Sequence, residues 1–284
     1  MKPFTPIPAY PLPSWVASGP IGLTVSWLTA ANPFMQKPHP HTHPYYQLVL
    51  IEAGRGTYEV DFRSFEVGPG SLVWIAKGQV HSATLSGDLL GYCVSFSEDF
   101  LITWVGECPG LEGLVSAFPP VSVFDGAEMG PAFEAMARLE GSEVEPFKSA
   151  LLGTHLKLVC LQLAKVAVAV SDEDGIGTPL VQAYRRWVDR FFRQHHDVEF
   201  YAEALHVNAK HLNELVKHST GQTASHWIHE RLILEAKRLL CNTLNPIADI
   251  AVFLGFEDTA YFYRYFKRYT GQTPLAFRLY GKRG

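Results

Sequence analysis

Three histidines, His39, His41 and His43, occupy alternate positions in the stretch KPHPHTHPYYQ, residues 37–47. In an extended chain alternate side chains point to the same face, so these imidazoles would lie side by side. His81, in the later stretch AKGQVHS, supplies another imidazole, and imidazole nitrogens are common ligands of transition metals. The spacing is therefore typical of a metal centre or of the polar lining of a ligand pocket.

The segments around these histidines have the composition of short β-strands separated by tight turns. YQLVLIEAG, RGTYEVDFRSFEVGPGSLVWIA and LLGYCVSFS are rich in Val, Tyr, Phe, Leu and Ile, with Gly or Pro between them. TYEVDF alternates polar and apolar residues, as a strand with one solvated face should. Up to about residue 105 the pattern predicts a β-sandwich or small barrel, and from about residue 127 it turns helical.

A long helix is predicted over residues 147–170, and it carries two apolar stripes. The first stripe follows a heptad spacing and is predicted to mediate dimerisation; its members are Leu152, Leu156, Val159, Leu163 and Val166. Leu151, Leu158 and Leu161 form the second stripe. One stripe can pack on the barrel of its own chain and the other on a second copy, or both can be buried within one chain.

Charge is distributed unevenly along the 284 residues. Residues 1–175 carry 9 basic and 18 acidic side chains, a balance of −9, whereas residues 176–284 carry 15 and 10, a balance of +5. The sequence SDEDGIGTP, residues 171–179, lies at this divide and has the composition of a linker. A basic C-terminal domain suggests a polyanionic partner.

Composition also limits the class of protein. The chain is 47% hydrophobic and 18% charged, which favours a folded protein with a substantial core. Its 4 cysteines are scattered without a C-x-x-C pair, as is typical of a reducing cytosol. The Pro-rich N-terminus lacks the apolar region of a signal peptide, and no apolar run approaches a membrane span in length. We therefore expect a cytoplasmic protein without a membrane partner.

The C-terminal half contains an internal repeat. KHSTGQTASHW (217–227) recurs 50 residues later as KRYTGQTPLAF (267–277), which indicates a duplicated unit. Each copy ends a pattern of short helix, tight turn and second helix, so helix-turn-helix units are predicted at about 198–219 and 247–269. One helix over 222–241 would join them and span roughly 30 Å, close to the roughly 34 Å turn of DNA.

The second helices of both units have recognisable starts and anchors. Asn208 and Asp258 are suitable N-caps. Leu212 and Phe262 each lie four positions after the cap and are expected to be buried. The second helix of such a unit can lie in the major groove of DNA.

The second unit resembles the DNA-binding domain of the AraC/XylS family of bacterial transcription regulators. AVFLGFEDTAYFYRYFKRYTGQTPLAFR (251–278) matches the family signature A-x-x-x-G-F-x-x-x-x-Y-F-x-x-x-F-K-x-x-x-G-x-T-P-x-x-x-R. The first unit also matches, except that His206 stands where the family usually has Gly in the turn; histidine tolerates a positive φ better than most residues. HTHPYYQLVLIEAGRGTYEV, GPGSLVWIAKGQVHS and GYCVSFSEDFL are similar to the cupin-type sensor barrel of the same family.

The resemblance implies a two-domain α+β protein. An N-terminal domain, residues 1–170, would combine a cupin-like β-barrel with an arm (1–20) and a helical dimerisation segment (about 127–170). Residues 171–179 would form the linker, and residues 180–284 an all-helical DNA-binding domain. In one member of the family such an arm closes over the ligand and signals to the DNA domain, and by analogy we expect the same here.

Helix geometry selects the residues expected to contact DNA, because positions two, five and six after each N-cap share one outer face. The expected base contacts are Lys210, Asn213, Glu214, Thr259, Ala260, Tyr263 and Arg264. The expected phosphate contacts are Lys217, Arg231, Lys267, Arg268 and Arg278. The partners would be double-stranded promoter DNA, bound at two half-sites by a homodimer, and RNA polymerase.

The barrel is predicted to bind a small-molecule effector. The expected lining residues are His41, His43, Gln47, Tyr58, Trp74 and His81. A metal-binding cupin carries H-x-H, then Glu three or four residues later, then a further His; here Gln47 or Leu48 stands at the Glu position. The missing carboxylate favours a pocket without a metal or other cofactor.

The predicted function is therefore sequence-specific transcription regulation controlled by an effector, without catalytic residues, in the bacterial cytoplasm and associated with the nucleoid. The regulator would recruit or block RNA polymerase. One alternative is a metal-dependent cupin enzyme, of dioxygenase or isomerase type, with a DNA-binding tail. Another is a DNA-binding protein whose barrel binds nothing and only dimerises.

Overall fold

The structure is a computed structural model that describes residues 4–11, 22–29, 39–105, 111, 115, 118–142, 147–170 and 178–280. The chain divides into two units: Pro8–Val170, and Met1–Ile7 together with Ser171–Gly284. Most of the predicted linker and part of the arm lie outside the described residues. The described strands all belong to the first unit and the described elements of the second are helices, which confirms the predicted α+β organisation.

The strands of the first unit form two antiparallel sheets. In chain order they are β1 (Leu23–Thr29), β2 (Tyr46–Ala53), β3 (Gly56–Val60), β4 (Arg63–Val67), β5 (Ser71–Ile75), β6 (His81–Leu85), β7 (Leu90–Phe96) and β8 (Val121–Val123). The larger sheet has the order β1-β7-β2-β5-β8 and the smaller one the order β4-β3-β6. An isolated antiparallel bridge pairs His41 with His81, which brings the H-x-H stretch to the start of β6.

Both sheets contribute one face to a shared hydrophobic core. Val49 and Ile51 of β2, Tyr58 of β3 and Ile75 of β5 belong to this core. Because successive strand residues alternate between faces, Gln47 lies on the same face as Val49 and Ile51. The core therefore lies between the sheets, as expected for a small barrel or sandwich, and Gln47 is at one end of its β2 row.

Among its described residues, three helices complete the first unit: α1 (Glu98–Val105), α2 (Gly126–Gly141) and α3 (Lys148–Val170). Helix α2 contacts β1 and β2, and α3 packs against α1 and α2. The opposite face of the larger sheet is therefore covered by helix. Among the described residues one helix, α3, has the length and composition of a membrane span, over Lys148–Ala167. Its buried face is that of a core helix, and core helices meet the same criterion.

The two apolar stripes of α3 differ in burial. The stripe expected to mediate dimerisation is buried within the unit: Leu152, Leu156, Val159 and Leu163 are fully buried and Val166 is partly buried. By contrast, Leu151, Leu158 and Leu161 are 39%, 48% and 42% exposed. The prediction of the interface residues was therefore wrong, because the first stripe forms part of the core beside α1 and α2.

The second unit is a bundle of short helices around one longer helix. In chain order they are α4 (Pro179–Phe191), α5 (Val198–Ala204), α6 (Ala209–Thr220), α7 (Ala224–Asn242), α8 (Ile247–Phe253), α9 (Thr259–Thr270) and α10 (Pro274–Tyr280). Helices α5 and α6 form the first helix-turn-helix unit, and α8 and α9 form the second. Helix α7 joins them, as the sequence predicted.

The predicted caps and anchors of the second helices are confirmed. The side chain of Asn208 accepts a hydrogen bond from the backbone N–H of His211 at the start of α6. Asp258 accepts from two backbone N–H groups at the start of α9. Leu212 and Phe262 are fully buried. These polar caps and apolar anchors fix where each helix begins and which face it turns inward.

The turns of the two helix-turn-helix units each contain a residue with a left-handed backbone conformation, but the residue type differs. His206 has φ +56° in the first unit, as its position in the motif predicted. Gly255 has φ +83° in the second unit, and a Cβ at that position would lie 2.1 Å from the carbonyl oxygen of Arg193. The second turn therefore requires glycine for two reasons, its backbone conformation and the closeness of its neighbour.

Candidate DNA-binding surface and effector site

The exposed face of α6 carries the base-contacting residues predicted for the first unit. Lys210 and Glu214 lie one helical turn apart and form a 3.9 Å ion pair, with side chains 86% and 64% exposed. Asn213 is half-buried, and its Oδ1 accepts a 3.0 Å hydrogen bond from the backbone N–H of Ala224. Asn213 therefore anchors the start of α7, whereas Lys210 and Glu214 are turned to solvent.

The exposed face of α9 combines aromatic and basic groups. Ala260 is exposed, and Thr259 and Tyr263 are partly buried. The guanidinium group of Arg264 is 3.8 Å from the carboxylate of Asp258, and its side chain is 70% exposed. An exposed arginine on such a helix has the reach and the paired donors needed to contact a guanine edge.

Three of the five predicted phosphate contacts lie on exposed surface near the ends of α6 and α9. Lys217 is in the last turn of α6, and Lys267 and Arg268 are in the last turn of α9. All three residues are exposed. They supply positive charge that is accessible to a phosphate backbone.

Arg231 has partners within the domain. Its guanidinium donates to Asp189 and to Glu235 at 3.0 Å each, and it lies 4.0 Å from the centre of the Phe192 ring. Burial raises the pKa of Glu235, but Arg231 and Arg238 outweigh burial and hold that pKa below its usual range. Arg231 therefore ties α7 to α4, and its predicted contact with phosphate would have to form alongside these bonds.

Arg278 is similarly engaged. It donates hydrogen bonds to the carbonyl oxygens of Leu240 at 3.3 Å and of Asn245 at 2.7 Å. These bonds join α10 to the end of α7 and to the loop before α8. Arg278 therefore holds the second helix-turn-helix unit on the linking helix α7, and its predicted contact with phosphate stays a prediction.

The three predicted histidines of the barrel form one buried cluster. His41, His43 and His81 are at most 7% exposed. The ring of His81 is centred 4.3 Å from that of His41 and 4.7 Å from that of His43. The bridge between His41 and His81 therefore brings together side chains that are far apart in sequence.

Backbone carbonyls hold these imidazoles in place. The Nδ1 atoms of His41, His43 and His81 lie 3.0, 2.7 and 3.1 Å from the carbonyl oxygens of residues 39, 45 and 79. Since a carbonyl only accepts, each Nδ1 donates, and in the neutral form each Nε2 is an acceptor. The cluster thus has fixed ring orientations and defined polarity.

The other predicted lining residues lie in different environments. Gln47 donates a 3.3 Å hydrogen bond to Ser95, on the inner face of the larger sheet. Tyr58 is buried in the hydrophobic core. Trp74 pairs with Leu48 across β2 and β5, and its ring packs against Phe118 on the opposite face of that sheet. The structure therefore does not place Trp74 with the histidines.

Two aromatic residues that the sequence did not single out contact the cluster. Tyr45 stacks on His43 with ring centres 4.0 Å apart, and Tyr10 meets His41 edge-on at 5.1 Å. The pair YY directly after HTHP was the available signal for Tyr45. Among the described residues, no group of three or more His, Cys, Asp or Glu side chains has the arrangement of a metal site.

The N-terminal residues make specific contacts in both units. In the helical unit, to which Met1–Ile7 belongs, the ring of Phe4 stacks on that of Phe253 with centres 4.3 Å apart. The side chain of Asn245 both accepts from the backbone N–H of Thr5 at 2.9 Å and donates to its carbonyl oxygen at 2.6 Å. In the first unit, Tyr10 and Pro8 exchange backbone hydrogen bonds with Thr42.

Two family models match the chain, one in each unit. The model described as AraC-like ligand binding domain matches residues 30–156. The model described as helix-turn-helix domain matches residues 201–279. Together they include the histidine cluster, the linking helix and both recognition helices.

Curated relatives span nearly the whole chain. The HTH-type transcriptional activator RhaR of Enterobacter sp. (strain 638) is 25% identical, covering 84% of this chain and 86% of its own. The RhaR of Klebsiella pneumoniae is 26% identical with the same coverage. Among solved structures, ToxT from Vibrio cholerae is 14% identical with a TM-score of 0.44, covering 90% of this chain and 97% of its own. The C-terminal domain of AraT from Geobacillus stearothermophilus is 30% identical with a TM-score of 0.34, covering 36% and 85%.

Proposed function

Because the chain belongs to the AraC/XylS family of transcription regulators, we propose that it binds promoter half-sites under the control of a small-molecule effector. Membership of this family means that the chain is a DNA-binding regulator with a ligand-binding domain, and that it is not an enzyme. The alternative of a metal-dependent cupin enzyme is therefore set aside.

The observation that carries the proposal is the pair of duplicated units with exposed recognition helices. Lys210, Glu214 and Arg264 are the exposed side chains best placed to contact base edges. Asn213, Thr259, Ala260 and Tyr263 complete the proposed face, and Lys217, Lys267 and Arg268 are its proposed phosphate contacts. The domain bounds that go with it are 1–170, 171–179 and 180–284.

The test is selection of duplexes from a randomised pool by the full-length protein, followed by mobility shifts. We expect enrichment of one sequence with two contacted segments about one helical turn apart. Binding should weaken steeply with salt, since phosphate contacts release counterions. Recovery of duplexes without any common sequence would contradict the proposal.

The effector is proposed to bind at the histidine cluster, against His41, His43 and His81, with Gln47 nearby. A thermal-shift screen with sugars, aromatic acids, amines, divalent metals and a chelator tests this. A ligand at 100 times its Kd should add about 2.7 kcal/mol. His43→Ala should abolish the shift, and exposed His39→Ala should leave it unchanged as the matched control. A shift that survives His43→Ala would place the effector elsewhere.

The arm is proposed to report effector binding to the DNA-binding domain. Six positions separate Phe4, which stacks on Phe253, from Tyr10, which contacts His41. A ligand at the cluster would compete with Tyr10 or reorient it. We expect Asn245→Ala to reduce the effect of ligand on DNA affinity while leaving ligand binding intact. An unchanged response would remove the arm from the mechanism.

A homodimer is proposed through the exposed stripe of α3. Leu151, Leu158 and Leu161 leave apolar surface in solvent, and pairing with a second copy would bury it. Leu158→Glu is expected to give monomers in sedimentation equilibrium. Leu90→Glu, at another exposed leucine of the same unit, is the control and should leave the dimer intact. A Leu158→Glu dimer of wild-type stability would disprove this interface.

The relatives are named as transcriptional activators, so we propose activation, with RNA polymerase as the partner, in the bacterial cytoplasm at the nucleoid. Transcription from a promoter that carries the selected sequence should rise when protein and effector are added together. A fall in transcription would assign repression instead.

A further inference from the structure

A histidine of the linking helix contacts the recognition helix of the second unit. A 2.8 Å hydrogen bond joins His229 Nδ1, on α7, to the phenolic oxygen of Tyr265, on α9. His229 Nε2 is 2.9 Å from the hydroxyl of Ser225, one turn earlier on α7. Its ring also lies 4.8 Å from the ring of Tyr269. His229 is therefore held from both sides, between its own helix and α9.

The surroundings of this contact keep it neutral. Burial raises the pKa of the Tyr265 phenol well above its usual range, so the hydroxyl stays protonated. Burial also lowers the pKa of His229, and electrostatic interactions with His196, His226 and Arg268 lower it further. Arg268 belongs to α9, so a charged His229 would repel the helix that a neutral His229 holds.

The first helix-turn-helix unit is attached to α7 by different hydrogen bonds. Asn213 of α6 accepts from the backbone N–H of Ala224, at the first residue of α7. Tyr184 of α4 donates to the carbonyl oxygen of Ala224 at 2.6 Å. Both recognition helices are thus hydrogen-bonded to α7, five residues apart, and α7 determines how far one lies from the other.

We propose that His229 is a positioning residue for DNA recognition: its hydrogen bond with Tyr265 fixes α9 on α7 and thereby sets the spacing between the two recognition helices. The inference rests on the proposed function, in which both helices contact one DNA site. Its direct consequence is discrimination between DNA sites whose two contacted segments are differently spaced. Base identity at either segment would be read by other residues.

The experiment uses full-length protein and the duplex selected from the randomised pool. Two further duplexes have one base pair inserted or removed between the two contacted segments. The measured quantity is the ratio of affinities for the parent and altered duplexes, in which any change common to both cancels. Tyr265→Phe removes the hydroxyl and keeps the ring, and we expect it to lower the ratio by about fivefold, as for a coupled hydrogen-bond pair.

Two variants separate positioning from general stability. Tyr201→Phe also removes one phenolic hydrogen bond of a buried tyrosine, the 2.8 Å bond from Tyr201 of α5 to the carbonyl oxygen of His195. It should lower the unfolding midpoint while leaving the ratio unchanged, because this bond does not involve α7. His229→Asn keeps a hydrogen-bonding atom near the place of Nδ1 but does not titrate. The affinity ratio of His229→Asn should stay close to the wild-type value and should not depend on pH. The wild-type ratio should fall as the solution is acidified.

The outcomes are distinguishable from failure of the proposed function. If no sequence is enriched from the pool, the proposed function fails. If a sequence is enriched but Tyr265→Phe leaves the ratio as it is, only the positioning role of His229 is overturned. Equal losses of the ratio in Tyr265→Phe and Tyr201→Phe would also overturn it, since they would reflect a general loss of stability.

Discussion

The two helix-turn-helix units have the same architecture but differ in how much their turns and faces constrain them. His206 occupies the left-handed turn position of the first unit with its side chain in solvent, whereas Gly255 faces the Arg193 carbonyl in the second. The face of α6 carries an ion pair, and the face of α9 carries Arg264 among tyrosines. The same motif can therefore be tolerant in one copy and sterically closed in the other.

The largest effect is expected for Gly255→Ala. The new methyl group would lie 2.1 Å from the carbonyl oxygen of Arg193. The alanine would also have to keep a left-handed backbone conformation. We expect a loss of about 3 kcal/mol or more in the free energy of unfolding, measured by urea denaturation of the full chain. Gly221→Ala is the control, because its φ is +71° but its Cβ would meet nothing within 4 Å. Its cost should be about 1 kcal/mol.

A second effect should separate base contacts from phosphate contacts. Arg264→Ala is expected to cost about 1–3 kcal/mol on the selected duplex and to relax preference at one base pair. Lys217→Ala should weaken binding to all duplexes alike and reduce the salt dependence. Mobility shifts with the selected duplex and its single-base variants check both. A uniform loss for Arg264→Ala would assign Arg264 to phosphate.

Acidification should lower the free energy of unfolding of the helical unit that contains residues 178–280. Burial lowers the pKa of His196, which bonds to the Leu254 carbonyl, and the pKa of His229. Because the folded pKa values lie below the ordinary value of about 6.5, the folded state binds fewer protons. This stability is present above that pH and is lost as the pH falls through the lowered values.

Thermal unfolding between about pH 8 and pH 5 tests this dependence. The total effect should be about 1 kcal/mol or less, because both side chains are partly solvated and solvent screens their charges. Replacing both residues by Gln should flatten the profile. A double variant with the wild-type slope would assign the dependence to other groups.

The smallest effect concerns the tolerant turn. His206→Gly removes a side chain from a left-handed position, so the folded backbone is relieved but the unfolded chain gains freedom. We expect a net change within about 1 kcal/mol, with unchanged DNA affinity. A large loss of stability would show that the imidazole of His206 makes a contact that its exposed position does not indicate.

Much of the helical unit, residues 178–280, could be predicted from the sequence, because the residues that define its helices lie close together along the chain. The repeat, the caps Asn208 and Asp258 and the anchors Leu212 and Phe262 each depend on residues a few positions apart. Arg231 and Arg278 could not be assigned in this way. Their partners, such as Asp189 and Asn245, lie more than thirty positions away, and a charged side chain near a helix surface fits DNA or protein equally well.

The first unit was harder to predict for a physical reason. Residues of β5 are buried on both faces, because one face meets the core and the other is covered. Without alternation, the sequence does not indicate which side Trp74 takes. For α3, heptad spacing identified two stripes, but spacing alone does not indicate which one packs within the chain. Local geometry predicted that His41 and His43 lie on one face, because they alternate with Thr42 in an extended chain. His81 joins them through the bridge between His41 and His81, which spacing alone does not indicate.

The contact between Asn245 and the arm has a consequence for how freely the arm can evolve. Asn245 bonds to the backbone N–H and carbonyl of residue 5, so the side chain at that position takes no part in either bond. Substitution of Thr5 by any residue other than proline preserves both hydrogen bonds. Neutral drift should therefore concentrate at position 5, whereas Phe4 and Asn245 make these contacts through their own side chains.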